Sequence, residues 1–122
     1  MRTNSQFTVA VISYAPRVAE DLSLPILMLL LDKSESTAKI RKLRYLKDWH
    51  VFSARCPDAD VEFVIAIVEQ IEALCHQGRT EDVLAFLSSC SNTLRFKDED
   101  VIMGDPETEF QSLCEQNFSV WS

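Results

Sequence analysis

Two apolar runs of strand length dominate the amino-terminal part of the chain. The first, Phe7 to Ala15, is β-branched and aromatic, with Val9, Val11 and Ser13 on one side of a pleat and Ala10, Ile12 and Tyr14 on the other. Pro16 stops it, because proline has no N–H to give to a ladder. The second, Leu24 to Asp32, is apolar on both sides too, and it tolerates Pro25 only at its beginning. A polar bend carrying Arg17, Glu20 and Asp21 joins them. Runs of this kind predict two central strands, the core pair of residues 7–32, paired antiparallel and covered by helices on at least one face.

The pattern then becomes amphipathic. After a polar turn at Lys33 to Ser36, Thr37 to Tyr45 sets Ala38, Ile40 and Lys42 against Lys39, Arg41, Leu43 and Tyr45, which predicts a half-exposed third strand. Asp48 can cap a short helix in which Trp49, Phe52 and Cys56 share a face; a strand over residues 48–55 is the competing reading. Residues 58–77 predict the main helix. Asp58 and Asp60 lie near its positive end, Val64, Ile67, Val68, Ile71, Leu74 and Cys75 form its inward stripe, and Gly78 stands where a left-handed cap is expected. Thr80 caps the next helix, whose stripe is Val83, Leu84, Phe86 and Leu87. Thr93 to Lys97 and Asp100 to Met103 read as two short strands. Asp105, Pro106 and Glu107 make a strong start for a closing helix over 105–117, with Phe110, Leu113 and Cys114 facing inward. Phe118, Val120 and Trp121 must dock on the body or meet a partner. Residues 1–6 read as a loose terminus. The elements add up to an α+β fold: a mainly antiparallel sheet with helices packed on it, in one compact domain.

Composition changes this picture little and charge changes it more. With 122 residues, 47% of them hydrophobic, the chain can bury one core without metal or disulfides. The net charge of −7 disfavours nucleic acid and anionic membranes as partners of the molecule as a whole. That charge is unevenly spread. Residues 1–79 carry ten basic and ten acidic side chains, whereas residues 80–122 carry two and nine. Half of all the basic residues lie between Lys33 and Lys47. A basic ridge and an acidic end therefore belong to one small domain.

Cys56, Cys75, Cys90 and Cys114 contain no Cys-x-x-Cys pair, and no charged-then-apolar leader opens the sequence, so reduced thiols and a soluble cytoplasmic protein are expected. Leu22 to Leu31 is about half the length needed to cross a bilayer. His50 and His76 lie in no nucleophile motif. Cys75 and His76 are adjacent on a helix and diverge by about 100°, which is poor geometry for one ion. No motif asks for a cofactor, and with only Gly78 and Gly104 there is no glycine-rich phosphate loop. Two clusters remain as candidates for recognition. Lys39, Arg41, Lys42 and Arg44, with Tyr45 and Trp49 interleaved, could hold an anion or nucleic acid, the cations on its backbone and the aromatic faces stacked on its bases, although lysines also serve simply to protect an edge strand. Asp98, Glu99 and Asp100, followed by Asp105, Glu107 and Glu109, could hold Mg²⁺, serve as a carboxylate pair or meet a basic partner, or could be a solvated turn before a capped helix.

Several short motifs also look familiar. They are a strand ending in Tyr14-x-Pro16, an acidic bend at Glu20 before a long aliphatic strand ending in Asp32, a Pro-Asp-Ala-Asp helix start at residues 57–60, and a closing Asp-Pro-Glu-x-Glu helix at Asp105. From about Phe7 to Phe118 this pattern resembles a small bacterial family called domain of unknown function three-zero-three-seven. The resemblance implies an accessory protein often encoded beside a HipA-type kinase. Ser13, Ser23 and Pro25 stand where that family usually has Arg, Asn and Gly, so a polar site of the family at those positions would be altered here.

These readings converge on a small non-enzymatic accessory protein that docks on a protein partner through complementary charge. The competing class is a metal-dependent hydrolase or nuclease working through the acidic cluster near residues 98–109. Self-association through opposite charges is a third expectation.

Overall fold

The computed structural model describes residues 7–15, 24–33, 37–89, 94–101 (from 95 on as backbone) and 104–121. The expectations for the amino terminus, the Arg17 to Asp21 bend, the turn at 34–36 and Cys90 lie outside these residues. Among the described residues four strands form one sheet: β1 (Phe7–Tyr14), β2 (Leu24–Asp32), β3 (Lys39–Tyr45) and β4 (Leu94–Val101). Their spatial order is β3-β2-β1-β4, with every neighbouring pair antiparallel. Helices α1 (Trp49–Arg55), α2 (Val61–His76), α3 (Thr80–Ser89) and α4 (Pro106–Phe118) and a 3₁₀ turn at Ser119–Trp121 complete the α+β fold.

The two apolar runs are central because helices cover both faces of the sheet. Ala10, Ile12 and Tyr14 of β1, with Ile26, Leu29 and Leu31 of β2, join Phe52 of α1, Val64, Ile67, Val68 and Ile71 of α2 and Val83 of α3 in one cluster. Val9 and Val11, with Met28 and Leu30, face the other way and meet Phe110 and Cys114 of α4. All nine residues of β2 are buried. At about 1.5–3 kcal/mol for each large aliphatic side chain, β2 is the main source of apolar stabilisation in the sheet. The last turn of the chain links the two layers. Phe118 packs against both clusters, and Trp121 reaches the first cluster, where its ring lies 5.8 Å from that of Phe52 and its Nε1 donates to the Pro25 carbonyl at 2.7 Å. Of the three apolar carboxy-terminal residues, Trp121 docks, Phe118 is half-buried and Val120 is exposed.

Local chemistry sets the helix ends. Asp48 accepts from the N–H groups of His50 and Val51, which resolves residues 48–55 as a helix. Asp60 caps α2 through the Phe63 N–H, and Asp58 lies in the preceding turn. After α2, Gly78 takes a φ of +70°. It donates to Cys75 O while Arg79 donates to Leu74 O, the paired bonds of a Schellman end. Asp105 caps α4 through Thr108 with Pro106 next in line.

Four sequence expectations change. Residues 94–101 form a single strand, not two. Val11 opposes Lys97 while Val9 opposes Asp100, so β4 holds one more residue than β1 across that interval, and the bulge at Asp98-Glu99 breaks the alternation that two separate strands would explain. β3 begins at Lys39 instead of Thr37. Cys75, Leu84 and Phe86 are half-buried, at the margin of their stripes. Thr80 is buried, and its hydroxyl accepts from the Ile40 N–H at 3.2 Å, tying α3 to β3.

Candidate functional site: the basic edge strand and its grooves

β3 lies at one edge of the sheet, and its two sides have different surroundings. Register places Leu43 opposite Leu29 and Tyr45 opposite Leu27, so these residues face the α2 side, and with Ile40 they pack partly against its cluster. Lys42 opposes Leu30 and Arg44 opposes Met28, so both face the α4 side. The pairing shifts between Leu30 and Leu31, where Leu31 opposes Ile40, and Arg41 is the extra residue. A bulge re-aims its side chain. Here the guanidinium turns onto Asp32, giving Nη2 and Nε contacts to Oδ2 at 2.9 and 3.2 Å. The Asp32 side chain is only 9% exposed, so Arg41 offsets the desolvation of a carboxylate held near the core.

The six residues of the basic cluster thus divide by role. Lys39, Lys42 and Arg44 are exposed along β3. The Arg41 side chain is about half exposed but committed to Asp32. Tyr45 is half-buried; its hydroxyl donates to Glu72 Oε2 at 3.2 Å, and the Lys47 ammonium sits 4.2 Å from its ring centroid. Trp49 is half-buried and meets Phe52 edge-on at 5.4 Å. Both aromatic rings therefore have partners within the body of the protein.

The acidic cluster divides as well. Asp98, Glu99 and Asp100 lie on β4, at the opposite edge of the sheet from β3. Asp105, Glu107 and Glu109 begin α4 and are exposed. The Asp105 carboxyl is held below the usual carboxylate range, first by the Thr108 hydroxyl at 2.6 Å and then by the Thr108 N–H. Glu107 Oε1 lies 3.3 Å from Lys42 Nζ. The start of α4 therefore adjoins the basic strand, and the two charge clusters touch within one molecule. With both partners largely exposed, this contact contributes at most about 0.5–1 kcal/mol and a competing anion can displace it.

Grooves open on both sides of β3. An open groove of about 630 Å³ runs between Lys42 and Arg44 on one bank and Asp105, Glu107, Thr108 and Gln111 on the other. Another of about 340 Å³ separates β3 from the carboxy-terminal half of α2, bounded by Arg41, Leu43, Tyr45 and Lys47 and by Glu72, Cys75 and His76. Burial pushes the Cys75 thiol up to about 11, with the nearby Glu72 carboxylate adding to it. Cys114, buried beside Phe110 in the second cluster, is also pushed up to about 11 by burial, against the opposing pull of Arg44. Both thiols are neutral near neutral pH. Cys56 and Tyr14 are raised as well, mainly by burial. Among the described residues no group of three or more His, Cys, Asp or Glu gathers as a metal site, and no helix is long and apolar enough to cross a membrane.

Sequence reasoning located the basic strand but missed Asp32, Glu72 and Thr80 as its partners. Arg41 and Asp32 are nine residues apart, yet they meet only through a bulge; Tyr45 and Glu72, and Ile40 and Thr80, are 27 and 40 residues apart. Periodicity carries no signal at such separations. Comparison with protein-family models, with curated proteins and with solved structures finds no match for this chain.

Proposed function

We propose that the protein is a small accessory protein that docks on an acidic surface of a protein partner through β3. One observation carries this reading: a chain of net charge −7 concentrates exposed cations on one edge strand, where Lys42 and Arg44 line an open groove and Lys39 lines another near the start of α3. Within about a Debye length such an edge favours an acidic partner over a basic one, which sets specificity more than affinity. The weak Lys42 to Glu107 contact is compatible with this reading, since an incoming carboxylate can displace Glu107 at little cost. The resemblance to domain of unknown function three-zero-three-seven nominates a HipA-type kinase as the partner to try first, in a cytoplasmic setting.

The test is capture on the tagged full chain at low and at high salt, with the bound material identified by mass spectrometry. A stoichiometric protein partner released by salt is expected. Binding of nucleic acid or a divalent metal ion with no protein partner would contradict the reading and favour a metal-dependent hydrolase or nuclease at the acidic cluster.

A further inference from the structure

The basic edge also has a backbone, and its geometry specifies how a partner would sit. The Leu46 N–H donates to Ile26 O at 2.9 Å, which makes Leu46 and Ile26 a hydrogen-bonded pair of the β2–β3 ladder. Such pairs alternate along an antiparallel ladder. With Leu27 opposite Tyr45 and Leu29 opposite Leu43, the peptide groups of Arg44 and Lys42 point toward β2, and those of Leu43 and Tyr45 point away from it. Beyond the bulge at Arg41, the Ile40 N–H is already taken by Thr80, which closes that end of the edge. Leu43 and Tyr45 also line the groove shared with α2, where Lys42 and Lys47 supply positive charge opposite Glu72.

We propose that β3 takes up an extended acidic segment of another polypeptide as a fifth strand, hydrogen-bonded to the N–H and C=O groups of Leu43 and Tyr45. This rests on the docking function proposed above and adds its mode. An exposed strand edge is a template for pairing, and β-strand addition draws affinity from main-chain bonds and specificity from alternating side chains. Alternation along the incoming strand places one set of its side chains on the Lys42 and Arg44 side and the other set over Leu43 and Tyr45. A segment with acidic residues at every second position and β-branched residues between them satisfies both sides. The lysines that protect this edge from indiscriminate pairing would then select the one class of strand that neutralises them.

The experiment uses the full chain and a synthetic peptide of alternating Glu and Val, with two further versions N-methylated at every Glu or at every Val. Strand addition predicts that one methylated version loses binding while the other keeps it, because alternate peptide N–H groups face the ladder and the solvent. Each hydrogen bond lost weakens binding by roughly fivefold. Hydrogen exchange at Leu43 and Tyr45 slows when the parent peptide is present. Equal binding by all three peptides, or equal loss in both methylated versions, overturns strand addition and leaves docking by charge standing. Failure of the parent peptide to bind even at low salt overturns strand addition, and docking by charge is then decided by the salt-dependent capture of an acidic protein partner. Protection of Leu43 and Tyr45 that rises with protein concentration alone assigns the edge to a second copy of the chain and also overturns the proposal.

Discussion

Replacing Trp121 tests how the carboxy terminus holds the two helical layers to the sheet. The side chain is 7% exposed, packs against Phe52 at 5.8 Å and donates to Pro25 O at 2.7 Å. Trp121→Phe keeps most of the ring packing and leaves the Pro25 carbonyl without its indole donor, at a cost of about 1–2 kcal/mol. Trp121→Ala adds a cavity beside Phe52, and buried aromatic truncations cost about 3–5 kcal/mol. Because the turn is three residues long and can partly collapse, the lower end of that range is expected. For a domain of this size the Ala variant should lower Tm by about 10 °C or more. Urea unfolding followed by far-ultraviolet circular dichroism gives the free energies, and hydrogen exchange shows where they act. Since Phe118 packs against both clusters, α4 amides should lose protection before those of β2. A loss below about 1 kcal/mol for Trp121→Ala, with α4 protection unchanged, would refute the role assigned to Trp121.

Other consequences can be checked singly. Asp105→Ala removes the cap of α4 and should cost about 1 kcal/mol in urea unfolding, with Asp105→Asn recovering most of it. Cys75 and Cys114 are raised from 9.0 to about 11, so burial favours their neutral forms. Their contribution is complete below pH 9, where the unfolded chain also keeps its thiols protonated, and is lost as pH rises from 9 through 11. Stability followed through that interval should fall for the native chain and fall less for Cys114→Ala measured against its own value at pH 7. Gly78→Ala places a Cβ on a residue at φ +70° and should cost about 1 kcal/mol through backbone strain alone, since nothing lies within 4 Å of the added atom.

The core was legible in the sequence because it is written in local periodicity. Val9 through Tyr14 and Leu24 through Leu31 are apolar on both sides of the pleat, and that pattern requires a covered central strand. Asp48, Asp60, Gly78 and Asp105 act at the positions their chemistry specifies. What was illegible depended on bulges and on distant partners. The extra residue in β4 split one strand into two apparent ones, and the bulge at Arg41 turned a side chain that reads as solvated onto the buried Asp32. Thr80 reads as a helix cap, but burial beside β3 gave its hydroxyl a backbone donor across the fold. At the candidate site, the run of cations was visible from the start, whereas its contact with the acidic start of α4 through Lys42 and Glu107 appears only in three dimensions.

This division of roles decides which cations to change in testing the basic edge. Reversing Arg41 would place a second carboxylate against Asp32 and confound binding with folding. Lys42 and Arg44 carry no comparable structural load, so Lys42→Glu combined with Arg44→Glu should leave Tm within a few degrees of the native value. The decisive measurement is the affinity of this double variant for the protein captured by the native chain, across a salt series. Docking through β3 predicts at least tenfold weaker binding at low salt, with the difference shrinking as salt rises. Equal affinity of the native chain and the folded double variant at low salt would contradict it.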